Sequence, residues 1–166
     1  LKAEGEFALV RQSMEAAIET AGQPVLGGTM AHDHEMYLTL ADTAVQQRDA
    51  AALWEYAPRL EELARRDGHK LYLAIAHRAW GVAHRLASEH AEAETRLNQA
   101  LELFKELETG WQIGRTLAEL GEVALARSDS EAARNYFSQA LAAFEALKAV
   151  PDLERTREAL ERKNNA

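Results

Sequence analysis

Residues 79–101 read AWGVAHRLASEHAEAETRLNQAL, and residues 119–141 read ELGEVALARSDSEAARNYFSQAL. Gly81 aligns with Gly121, Ala93 with Ala133, Leu97 with Phe137, and Gln99-Ala100-Leu101 with Gln139-Ala140-Leu141, an offset of 40 residues. A fixed period of roughly 20 to 50 residues marks an array of helical units that cannot bury their apolar faces alone and must stack on neighbours. The function to look for is therefore that of a scaffold or binding surface.

Outward from this pair, helical spacing extends in both directions. On the C-terminal side, Ser128-Asp129-Ser130-Glu131 opens a helix to about Lys148, with Ser128 and Glu131 at capping-box spacing and Asp129 an equally good cap. Pro151-Asp152 then starts a last helix, DLERTREALERK, whose strongly apolar positions are Leu153 and Leu160; a polar final helix suits the end of an array. Between the two copies, Gly110 turns the chain into a helix through about Arg127. On the N-terminal side, helices are predicted at 71–87 and 89–107. A further helix spans about 50–66, with Asp49 as its N-cap and Pro58 predicted to kink or break it near Tyr56. Another covers about 34–47, with a buried stripe of Tyr37, Leu40, Ala41 and Ala44. The stretch AGQPVLGGTM reads as a loop, and residues 5–20 place Val10, Met14, Ala17 and Ile18 at helical spacing.

Composition narrows the function. At 166 residues the chain can bury a real core, and 19 Lys and Arg against 27 Asp and Glu leave a formal charge of −8. That balance repels a phosphate backbone and no compact basic patch offsets it, so nucleic acid is not expected as a partner. Cysteine is absent, which excludes disulfides and thiolate metal sites. No run reaches the roughly 18 apolar residues a bilayer span needs, and LKAEGEF lacks a secretion signal's layout, so a cytoplasmic, non-membrane protein is expected. The chain opens at Leu1 in mid-repeat and reads as part of a longer protein.

Catalytic motifs are missing: no phosphate loop, no G-x-S-x-G, no H-E-x-x-H and no cysteine nucleophile, so no enzyme and no cofactor are expected. His77 and His84 lie two turns apart, about 10 Å, which is poor spacing for a zinc site needing three or four convergent ligands. They read instead as packing residues around Trp80. His32 and His34, beside Glu35, read as a solvated helix start.

The repeat resembles the tetratricopeptide repeat. Leu117, Leu120, Gly121, Ala133, Phe137 and Ala140 match its pattern in one unit, and Trp80, Gly81, Ala93, Leu97 and Ala100 in another. A weaker unit holds Tyr37, Leu40, Ala41, Leu53, Ala57 and Leu60. Its usual period is 34 residues, against 40 here. Long units of this kind look like those at the C-terminal end of bacterial signal-transducing ATPases fused to nucleotide cyclase domains or helix-turn-helix activators. The resemblance implies an all-α, right-handed α-solenoid of stacked antiparallel helical hairpins over residues 1–166. Its parts would be a half unit at 5–20, units at 34–67, 71–108 and 110–148, and a closing helix at 152–163.

It further implies a non-catalytic protein–protein interaction scaffold, the regulatory or sensing arm of a larger bacterial signalling protein. A stand-alone adaptor or a homo-oligomerisation module, such as a homodimer, is the alternative. The concave groove is expected to be lined by first helices, through Glu35, Leu38, Asp42 and Val45, then Ile75, Arg78, Val82, Arg85 and Leu86, then Arg115, Ala118, Glu122 and Leu125. Arg78, Arg85 and Arg115 stand out in an acidic chain, and guanidinium forks suit an acidic or C-terminal peptide segment; pairing with neighbouring Asp and Glu is the competing reading.

Overall fold

A computed structural model describes residue 9, residues 11–16 and residues 30–164. Seven helices follow in order: α1 Met30–Gln47, α2 Ala50–Arg66, α3 Lys70–Leu86, α4 His90–Glu106, α5 Gly110–Ala126, α6 Ser130–Ala146 and α7 Val150–Asn164. From α2 onward each helix starts 20 residues after the last, so the 40-residue repeat is one helical hairpin. Residues 11–16 are also helical. The rest of the half unit expected at 5–20, the loop before Met30, and the side chains of His32 and His34 lie outside the described residues.

Every helix packs on its sequence neighbour, and the odd-numbered helices also pack on one another, α1 on α3, α3 on α5 and α5 on α7. This is a solenoid of stacked antiparallel hairpins with α1, α3, α5 and α7 as its inner layer. The small residues read from the repeat permit that stacking. A Cβ added to Gly81 would sit 2.5 Å from Leu97 Cγ, and one added to Gly121 would sit 2.7 Å from the Phe137 ring. Gly114 plays the same part, with Phe144 at 2.6 Å. Ala93, Ala100, Ala133 and Ala140 are wholly buried, where a larger side chain would hold the hairpins apart.

Six turns share one construction. In the turn after α3 the Glu89 N–H donates to the His84 carbonyl at 2.8 Å and the Ser88 N–H to the Arg85 carbonyl at 3.0 Å, the two bonds of a Schellman motif. The same pair recurs after α1, α2, α4, α5 and α6. Helix starts are less uniform. Asp49 accepts from the Ala52 N–H at 3.1 Å and Asp129 from the Ala132 N–H at 3.0 Å. Asp129 is therefore the cap of α6, and Ser128 occupies the preceding left-handed position with φ 61°.

Pro58 does not break its helix: α2 runs through it to Arg66. The carbonyl that loses its helical partner belongs to Trp54, a residue 41% exposed, where water can replace the missing donor. At the N-terminal side, Met14 packs on the core formed by α1 to α4, and the Tyr56 hydroxyl donates to Glu15 at 2.6 Å. Arg11 bonds both Glu15 and the helix cap Asp49.

Candidate functional site: the concave inner face

The 40-residue register places Glu35, Ile75, Arg115 and Arg155 at one level of the inner layer, and Leu38, Arg78, Ala118 and Glu158 at the next. Their environments differ sharply. Arg78 is 1% exposed and Val82 is wholly buried, so neither reaches solvent on this face. Half-buried positions are Asp42, Arg85, Arg115 and Glu122.

Asp42 is the first organising group. Its carboxylate accepts from Arg78 of α3 at 2.8 Å and from Arg115 of α5 at 2.9 Å. Arg78 also bonds Gln112 and lies 5.3 Å from the Phe104 ring centroid, while Arg115 lies 4.7 Å over Trp111. Burial opposes the charge on Asp42, but the two guanidinium groups overcome it and hold its carboxyl below the ordinary 3.8. Burial likewise pulls Arg78 down to about 10, which leaves it cationic at neutral pH.

Glu119 is the second. It accepts from Arg48, in the turn after α1, at 2.6 Å, and Arg85 of α3 stands 3.5 Å away. The three arginines singled out from sequence are thus each paired with an acid of the same chain. Helical spacing alone does not single out Arg48 or Glu119. Arg48 sits in a turn and Glu119 one position off the inner stripe.

Beside this layer lies a cleft of about 190 Å³. Arg115, Ala118, Glu119 and Glu122 of α5 form its floor, Val45, Gln46 and Arg48 one wall, and Asp152, Arg155, Thr156 and Ala159 of α7 the other. Phe137 and Phe144 close it from behind. Two guanidinium groups remain accessible on opposite walls: the Arg48 side chain is 41% exposed and the Arg155 side chain 64%. Arg155 donates to Asp152 at 2.7 Å, a pair that water weakens. The register could have found Arg155, since it repeats Arg115 one unit on.

His77 and His84 pack, each with a polar partner. His77 is buried, with Arg96 Nη1 3.3 Å from its Nδ1. His84 stacks on Trp80, meets Trp54 edge-on at 5.1 Å, and bonds Glu89 through Nδ1 at 2.6 Å. Among the described residues, no group of three or more His, Cys, Asp or Glu side chains could hold a metal ion. Likewise no described helix is long and apolar enough to cross a membrane.

Residues 71–146, which cover α3 to α6, match the family model described as tetratricopeptide repeat. Among solved structures, the crystal structure of BtubC (BKLC) from P. vanneervenii is similar at TM-score 0.67, over 99% of this chain and 74% of that one. The two sequences are 16% identical, so the likeness is one of fold. No curated protein matches the chain.

Proposed function

We propose, from the match of residues 71–146 to the tetratricopeptide repeat model, that the chain is a non-catalytic scaffold that holds a protein partner on its concave inner face. The observation that carries this reading is the cleft between α1, α5 and α7, with an apolar interior of Val45, Ala118 and Ala159 and charged walls. The partner is a peptide segment, acidic or C-terminal, whose carboxylates reach Arg48 and Arg155 while an apolar side chain fills the cleft. Arg115 and Glu122 line that site. Asp42, Arg78 and Arg85 act behind it by fixing the inner helices, and Val82 serves the core. The 40-residue period further supports a place in the regulatory or sensing arm of a larger bacterial signalling protein in the cytoplasm.

A photo-crosslinking amino acid at position 122, on the concave face, is expected to capture a partner in cells that make the protein. The same group at position 131, on exposed α6, is expected to capture none. Equal labelling from both positions would sink the concave-face reading.

A second reading, self-association, has its own observation. Leu107, Trp111 and Leu147 are 36%, 42% and 50% exposed and lie at the α4–α5 and α6–α7 turns. Light scattering at two concentrations tests it, and a constant monomer mass removes it.

A further inference from the structure

The two acid-centred clusters of the inner layer are built as mirror roles. Asp42 comes from α1 and takes one arginine from α3, Arg78, and one from α5, Arg115. Glu119 comes from α5 and takes one arginine from α3, Arg85, and one from the turn after α1, Arg48. Arg78 and Arg85 are seven residues apart on α3, so the clusters sit about 10 Å apart along the helix. Each therefore ties together three consecutive inner helices, and each contains one ion pair that crosses from the α1 side to α5 outright.

Those crossing pairs, Arg115 to Asp42 and Arg48 to Glu119, differ from the rest of the packing. No Cα of α1 lies within 8 Å of one in α5, whereas α1 and α3, and α3 and α5, approach that closely. In a stack held by nearest neighbours, small rotations at successive interfaces accumulate into curvature. The span from α1 to α5 is where that accumulation is felt, and here long arginine side chains bridge it. The acids involved are only 22% and 10% exposed, so bulk salt screens them little. The Glu119 cluster is the looser of the two. Glu119 Oε2 and Arg85 Nε are buried without a hydrogen-bond partner, and Arg48 and Glu119 both face the cleft.

We propose that the crossed ion pairs are a lock on curvature: they hold α1 over α5, set the width of the concave face, and release when a partner's carboxylate takes the accessible Arg48 and the partner, seated in the cleft that Arg115 also lines, draws Arg115 off Asp42. Regulation of this kind rests on the concave-face reading, because Arg48 and Arg115 both line the cleft the partner would fill. Asp42 and Glu119 then occupy in advance the place of an incoming acid.

The chain has no cysteine, so spin labels can be placed at Glu35→Cys on α1 and Glu158→Cys on α7, both exposed. Arg48→Gln with Arg115→Gln cuts both crossing pairs and leaves Asp42 with Arg78 and Glu119 with Arg85. The expected result is a label-to-label distance longer by several ångström and a broader distribution, at unchanged helical circular dichroism. Should the double variant lose helix, Arg48→Gln alone, at a side chain 41% exposed, is expected to broaden the distribution. An unchanged distance and width in the folded variant would overturn the lock. Adding N-acetyl-tetraglutamate to the labelled chain that keeps Arg48 and Arg115 is expected to reproduce the lengthening, and no response would overturn release by carboxylates. Neither distance measurement on the substituted chains involves a partner, so the lock can fail while crosslinking still succeeds, and the reverse.

Discussion

Gly121 shows how much one hydrogen decides. A side chain there would meet the edge of the Phe137 ring, with three ring carbons at 2.7–2.8 Å from a Cβ, and Phe137 is itself 1% exposed with nowhere to move. Gly121→Leu is expected to cost roughly 1 to 3 kcal/mol through overpacking, seen as a lower thermal midpoint; an unchanged midpoint would contradict the close approach of α5 and α6. His77 is a second residue with a readable consequence. Burial, with Arg96 and Arg65 nearby and only Glu61 opposing them, holds its pKa below the ordinary 6.5. The fold therefore keeps His77 neutral, and its contribution is complete above about 6.5 and is lost as pH falls below that value toward the depressed folded pKa. In urea titrations at pH 7.5 and 5.5, His77→Leu, which copies the equivalent Leu117, should lose less stability on acidification than the unsubstituted chain. Equal losses would remove His77 as a source of acid sensitivity. Both residues were visible in the sequence, Gly121 by its repeat and His77 by its packing place beside Trp80. The ion pairs were not: Asp42 is 36 residues from Arg78 and 73 from Arg115, so the sequence marked the arginines without saying which acid would hold them.

At the level of the elements, the helices were legible and the turns were not. Periodic apolar residues place a helix wherever Leu, Ala and aromatic positions recur every three or four residues, and α1 to α6 follow such a stripe, while the polar α7 shows little more than Leu153 and Leu160. The usual stop signal is a glycine in the left-handed position after the helix. Here Gly68 supplies it once, while Arg48, Ser88, Glu108, Ser128 and Lys148 adopt φ between 53° and 63° without it. A left-handed conformation costs an L-residue roughly 1 to 2 kcal/mol, which the paired Schellman bonds and the stacking of the hairpins offset. The uniform 20-residue step explains why the positions persist: each turn must reverse the chain in the same short distance. Ser88→Gly and Glu108→Gly are accordingly expected to stabilise the fold by about 0.5 to 1 kcal/mol each, after about 0.4 to 1 kcal/mol of added unfolded-chain freedom is subtracted. A rise in thermal midpoint checks this, and a fall would mean that the side chains at 88 and 108 make contributions beyond backbone geometry. Pro58 is the reverse case, a break signal that α2 runs through, the affected carbonyl being that of the exposed Trp54.

Across the whole molecule, apolar cohesion is divided. One core runs through α1, α2, α3 and Phe104 of α4, a second through α4, α5 and α6, and a third, smaller, joins α5, α6 and α7. Each hairpin thus depends on its neighbours and only indirectly on the far end, and the −8 charge adds repulsion along the stack without favouring any one arrangement. Such a chain unfolds by regions when damage is local. Phe144 offers the sharpest place to cause it, being 1% exposed, seated against Gly114 and at the back of the cleft. Phe144→Ala is expected to cost about 3 to 5 kcal/mol, the usual toll for deleting a buried aromatic ring. The loss should appear in hydrogen exchange as reduced amide protection through α5, α6 and α7, with α1, α2 and α3 keeping theirs. Equal loss of protection in all seven helices would mean that the three cores behave as one cooperative unit, and that the inner-layer ion pairs carry enough coupling from α1 to α5 to transmit the damage along the entire stack.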